Sequence, residues 1–166
     1  MKELIQKLYN LIAQLKIQRF MQTKSEKLYK KAFDTIGFDA SPKDLVSDEY
    51  ACAESVSTIL SSVIAFNIIT GTFSLLNVLK DDSRFQEIFT PEQGCIIISA
   101  TGTGNGNLAN GHVGIVGKNL APDNSLYVMS NSSASGIWSV NLTIDKWNKY
   151  YGVYGGFPVR YFKLLG

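Results

Sequence analysis

An α+β fold, with helices first and an antiparallel sheet after them, is what the two hydrophobic periods of this chain predict. Up to about residue 80, apolar residues recur at three- and four-residue steps, the repeat of helices. After Gly94 they come in short runs and alternations broken by Gly, Asn and Ser, the repeat of strands and their turns. The two patterns do not alternate, which argues against a parallel sheet built from βαβ units. With 166 residues, 45% apolar and 18% charged, the chain is long enough for one domain with a core and reads as globular.

Leu4, Ile5, Leu8, Leu11, Ile12, Leu15 and Phe20 mark a first amphipathic helix. Thr23, with Glu26 three residues on, is a capping box that opens a second. Leu28, Tyr29, Ala32, Phe33 and Ile36 form its apolar side, and Gly37 ends it. Residues 1–36 are therefore read as an amino-terminal helical segment, a hairpin docked on a body formed by residues 37–166. Residues 37–47 are loop-like. A helix is expected from about Ala51 to Ile69, burying Ala53, Val56, Ile59, Leu60, Val63 and Ile64. Gly71 breaks it, and Thr72 is placed to cap a shorter helix through about Leu79. Pro91 to Gly94 form a turn. Strands are expected at Ile96–Ile98, near His112–Gly117, Ser125–Asn131 and Gly136–Asn141, and at the closing run Phe157–Leu164. That makes a sheet of about five strands. Thr101–Gly111 is a loop, and Ile144, Trp147, Asn148 and Tyr151 fit one or two helical turns.

Charge is unevenly spread. Residues 1–31 carry eight Lys/Arg against two Glu, and the remainder carries eight against twelve Asp/Glu. Such a basic segment suits attachment to an anionic polymer or surface, and equally a plain solvated helix face. Lys2, Glu3, Lys7, Lys16 and Arg19 break up the first twenty residues, so no secretory signal is expected. Ile59–Leu79 is interrupted by eight polar or Gly residues and is not expected to span a bilayer. Two cysteines make no disulfide framework. One His with two distant Cys makes no zinc site of usual form. Gly102-Thr103-Gly104-Asn105-Gly106 lacks the Lys and the strand–helix context of a phosphate loop. Outside the amino-terminal helices no basic stripe with interleaved aromatics suggests nucleic acid.

The chemistry converges on two residues. Cys52 opens the apolar helix pattern just after Asp48-Glu49-Tyr50, and His112, the only histidine, opens the strand His112-Val113-Gly114-Ile115-Val116. A thiol is a weak nucleophile at its free pKa of about 8.5. A helix amino terminus offers it unpaired N–H groups that favour thiolate, and an imidazole can take its proton. Each residue also has a plain structural reading, a small buried hydrophobe for Cys52 and a hydrogen-bonded core histidine for His112. Cys95, beside Ile96-Ile97-Ile98, reads as a buried strand residue.

The helix-starting Cys52, the Pro91-x-x-Gly94 turn opening the first strand and the run Gly111-His112-Val113-Gly114-Ile115-Val116 together resemble the papain-like cell-wall peptidases, the NlpC-type enzymes and their CHAP relatives. The resemblance covers about Tyr50 to Phe162. It implies a papain-like fold, Cys52 as nucleophile, His112 as base, and an orienting third residue on the next strand, for which Asn131 is the best match and Ser130 the second. Met129 falls near where many relatives have an acidic residue, and Cys95 follows the turn where an Asp is common. The resemblance further implies Cys52 N–H as an oxyanion donor, a peptidoglycan or peptide substrate, and no metal or organic cofactor. Tyr50, two residues before the thiol, is read either as a cleft residue or as plain packing. The activity implied is cleavage of an amide bond in the bacterial wall, as endopeptidase or amidase, by a phage lysis or virion enzyme delivered without its own signal. A papain-like acyltransferase or deamidase acting on proteins, or a non-catalytic binding module of the same fold, fits the same residues.

Overall fold

The computed structural model describes residues 4–10, 23–119 and 125–166. Residues 4–10 are helical and exposed; the rest of the expected first helix lies outside the described residues. The capping box forms as expected: Thr23 Oγ1 accepts from Glu26 N–H while the Glu26 carboxylate accepts from Thr23 N–H. It opens helix α1 (Lys24–Asp34). A 3₁₀ turn, Asp48–Tyr50, leads into α2 (Cys52–Ser61), and α3 (Thr72–Asp81) follows.

Helix α2 is about two turns shorter on its carboxyl side than its apolar pattern suggests. The hydroxyls of Ser61 and Ser62 turn back onto the carbonyls of Thr58 and Ile59, and so compete with the helix ladder. Beyond them the chain runs extended, and Ile69 pairs its backbone with Ser57 Oγ. Thr72 is not the cap of α3 either. Gly71 holds that position, and the Thr72 hydroxyl is used on Thr101.

The α+β reading holds, with a six-stranded sheet where about five strands were expected. The added strand is β1 (Phe85–Ile88), whose text has too few apolar residues to announce it. Then come β2 (Ile96–Ser99), β3 (His112–Asn119), β4 (Leu126–Ser132), β5 (Ile137–Thr143), helix α4 (Ile144–Trp147) with a π-helical turn Asn148–Tyr154, and β6 (Arg160–Leu164). The order across the sheet is β1-β6-β2-β3-β4-β5, with antiparallel neighbours throughout. At the outer edge of β5, residues 37–40 run alongside: Gly37 N–H donates to Trp138 O and Trp138 N–H to Phe38 O. That covers an edge which would otherwise be free to pair.

Strand alternation divides the core in two. Ile96, Ile98, Val113, Ile115, Met129, Trp138 and Phe162 face α1, α2 and α3. Cys95, Ile97, Val116, Val128 and Tyr161 face the opposite way, onto Ile144 and Trp147 of α4. Helix α1 belongs to the first of these layers. Leu28 and Ala32 are fully buried there, Trp138 Nε1–H donates to Ala32 O, and Ser25 Oγ donates to Leu164 O. Packing thus continues without a gap from α1 into residues 37–166. Among the described residues no helix is long and apolar enough to cross a membrane.

Candidate active site

A cleft of about 760 Å³ opens where the two layers meet at the start of β3. Cys52, Tyr50, His112 and Asn131 all line it, with Thr72, Thr101, Asn141, Tyr150 and Tyr151.

Cys52 comes from the helical side. It is the first residue of α2 and 7% exposed, and the backbone N–H groups of Val113, Ala53 and Cys52 itself act on its thiol in favour of the thiolate. The Val113 contact ties the thiol to the strand residue next to His112. The thiolate expected from the helix start is not the resting state. Burial outweighs the three N–H groups and raises the Cys52 thiol to about 11. Tyr50, 53% exposed, sits on the rim as the sequence suggests.

His112 comes from the other layer. Its ring stacks on Trp147 at 5.2 Å and on Tyr151 at 5.3 Å between centroids. The indole is itself anchored by Trp147 Nε1–H donating to Ser99 Oγ at 3.0 Å, and Ser99 pairs with His112 across β2–β3. This apolar platform desolvates the imidazole and lowers its pKa to about 4, with the backbone of Asn131 acting weakly the other way. Gly114 makes room for the arrangement. A Cβ there would lie 2.7 Å from Met129 O and 3.1 Å from Ser130 Cβ, on the side where the ring reaches towards Ser130. Gly111 is needed for a similar reason: its Cβ would sit 2.0 Å from Ser99 O. Its N–H donates to Thr101 Oγ1, which also bonds Thr72, so α3, the end of β2 and the approach to His112 are joined.

The side chain that meets the His112 ring is Ser130, not Asn131. His112 Nε2 lies 3.0 Å from Ser130 Oγ, a fully buried hydroxyl. The register explains why. Gly114 pairs with Ser130, so His112, two residues before Gly114, shares the face of Ser130, and Asn131 points to the other. Asn131, only 2% exposed, instead donates from Nδ2 to Asp48 O and so holds the 3₁₀ turn that delivers Cys52. It serves the thiol's side of the cleft.

Sequence reasoning passed over Asn141, whose Oδ1 accepts from Ser130 Oγ at 2.7 Å. It also missed the use of Trp147 and Tyr151 as a platform, although their i, i+4 spacing in a helical turn put them on one face. Among the described residues no three His, Cys, Asp or Glu side chains gather as a metal site. No protein-family model, curated protein or solved structure matches the chain.

Proposed function

We propose that the chain is a papain-like cysteine hydrolase that cleaves an amide bond of bacterial peptidoglycan. The observation that carries this reading is the placement of Cys52. It starts a helix, and it lines one cleft with the sole histidine. In this reading Cys52 Sγ attacks the amide carbonyl as the thiol proton passes to the His112 ring. The tetrahedral oxyanion is met by Cys52 N–H, which heads α2 and has no acceptor within the helix. Collapse forms an acyl-enzyme as His112 returns the proton to the leaving amine. Water, deprotonated by the same ring, then releases the acid. A thiol at about 11 facing an imidazole at about 4 makes the resting pair neutral, so deprotonation accompanies attack and is not complete beforehand. Delivery by a phage, in lysis or on the virion, belongs to the same proposal.

The test is digestion of purified cell walls, with mass analysis of the fragments and of their new amino ends. Wild-type protein is expected to release fragments, and Cys52→Ala and His112→Ala are expected to release none. The neutral pair also suits a non-catalytic binding module. Wall binding without any fragment, unchanged in Cys52→Ala, would establish that reading. Activity on a protein amide with walls left intact would establish the acyltransferase or deamidase reading.

A further inference from the structure

We propose that Asn141 is a positioning residue that acts through Ser130 to fix His112 as the Nε2–H tautomer, leaving Nδ1 as the ring's proton-accepting atom. The purpose of this arrangement rests on the cysteine-hydrolase reading; the arrangement itself rests on hydrogen bonds alone.

The direction of each bond follows from what the atoms can do. Asn141 Nδ2 lies 3.2 Å from Asn131 O and 3.4 Å from Ser130 O. Carbonyls only accept, so the amide's nitrogen end must face them and its oxygen end must face Ser130. Oδ1 can only accept, so the bond of 2.7 Å to Ser130 uses the serine's single proton. Ser130 Oγ then has only lone pairs to offer His112 Nε2, 3.0 Å away, and that nitrogen must carry the proton. A neutral imidazole has one N–H, so Nδ1 holds the free lone pair. The Asn131 carbonyl beside the ring favours a protonated nitrogen near it. Asn141 occupies that same carbonyl. In the proposed reaction the S–H bond breaks, its electron pair stays on sulfur, and the proton forms the Nδ1–H bond. The imidazolium then keeps its Nε2–H on Ser130.

The chain's single histidine makes the test direct. In protein labelled with ¹⁵N-histidine, the two ring nitrogens report their own protonation without ambiguity of assignment. Wild-type protein at neutral pH is expected to show Nε2 protonated and Nδ1 free. Asn141→Leu frees the serine proton to turn towards the ring, and a mixture of tautomers is expected. Ser130→Ala, a smaller change in a fully buried position, is expected to give the same mixture as Asn141→Leu. Wild-type protein protonated on Nδ1 overturns the proposal. So does an unchanged tautomer in folded Asn141→Leu or, should that variant fail to fold, in Ser130→Ala. In wall digestion, Asn141→Leu is expected to lower kcat about a hundredfold with KM little changed. Failure of the hydrolase reading would leave the ring spectrum intact, and the wrong tautomer would leave the hydrolysis intact.

Discussion

The two cysteines are almost equally buried and chemically opposite. Cys95 opens β2 on the α4 side of the sheet, fully enclosed among Ile97, Val116, Trp147 and Tyr161. Cys52 opens α2 on the other side and lines the cleft. Both thiols are raised by burial, Cys95 to about 12 and Cys52 to about 11. Solvation therefore does not distinguish them. Access does: Cys95 is closed off on every side, whereas Cys52 lines a cleft that His112 also lines. What separates the two thiols is what can approach them.

The comparison breaks most sharply on turnover. Cys52→Ala is expected to lower wall hydrolysis on the order of a thousandfold or more, whereas Cys95→Ala keeps it. Fragment release measured for both would reverse the assignment if Cys95 proved essential.

Labelling with a small alkylating reagent comes next. At neutral pH, Cys52 in the folded protein is expected to react about a hundredfold more slowly than a free thiol, with the rate rising towards pH 11. Cys95 is expected to react only after unfolding. Rapid labelling of Cys52 at pH 7 would mean that a thiolate–imidazolium pair already exists.

His112 makes the cleft sensitive to acid. His112 titrates near 6.5 when unfolded and near 4 when folded, so below about pH 6.5 the unfolded chain binds the extra proton. Stability is therefore full above about pH 6.5 and falls as pH drops towards 4, by about 3 kcal/mol across that window. Urea midpoints between pH 8 and 4 measure it, and His112→Gln is expected to flatten this part of the curve. At the alkaline end the sign is reversed: the unfolded Cys52 thiol ionises near 9, so its contribution falls as pH rises from 9 to 11.

Replacement by serine gives the smallest effects. Cys95→Ser puts a hydroxyl in a fully closed site and is expected to cost about 2 kcal/mol. Cys52→Ser puts it on the cleft, where solvent can reach it, and is expected to cost about 1 kcal/mol or less. Equal costs would mean that the open cleft does not distinguish the two sites.

The pair Cys52 and His112 was legible because a helix start and a strand start are local signals. The capping box at Thr23 and the strands near residues 96, 112, 126 and 137 were legible for the same reason. The third residue was not. Choosing between Ser130 and Asn131 needs the register of β3 on β4, and a one-residue difference exchanges the faces. Asn141 was further out of reach, since it meets Ser130 across a second strand pair with a bulge between. The early end of α2 turned on two serine hydroxyls, which an apolar repeat does not register. β1 exists only because β6 provides an edge for it.

The place of β6 has a consequence for how the protein is made. It lies between β1 and β2, and the residues just after it reach back to α1, where Lys24 N–H donates to Gly166 O. While residues 160–166 are still inside the ribosome, β1 has no partner and β2 has an open side. The floor beneath Leu28 lacks Phe162 and Leu164. The cleft residues have all been synthesised by then, yet the sheet that holds them is in two pieces. Folding of the nascent chain is therefore expected to complete only once residues 160–166 have left the exit tunnel.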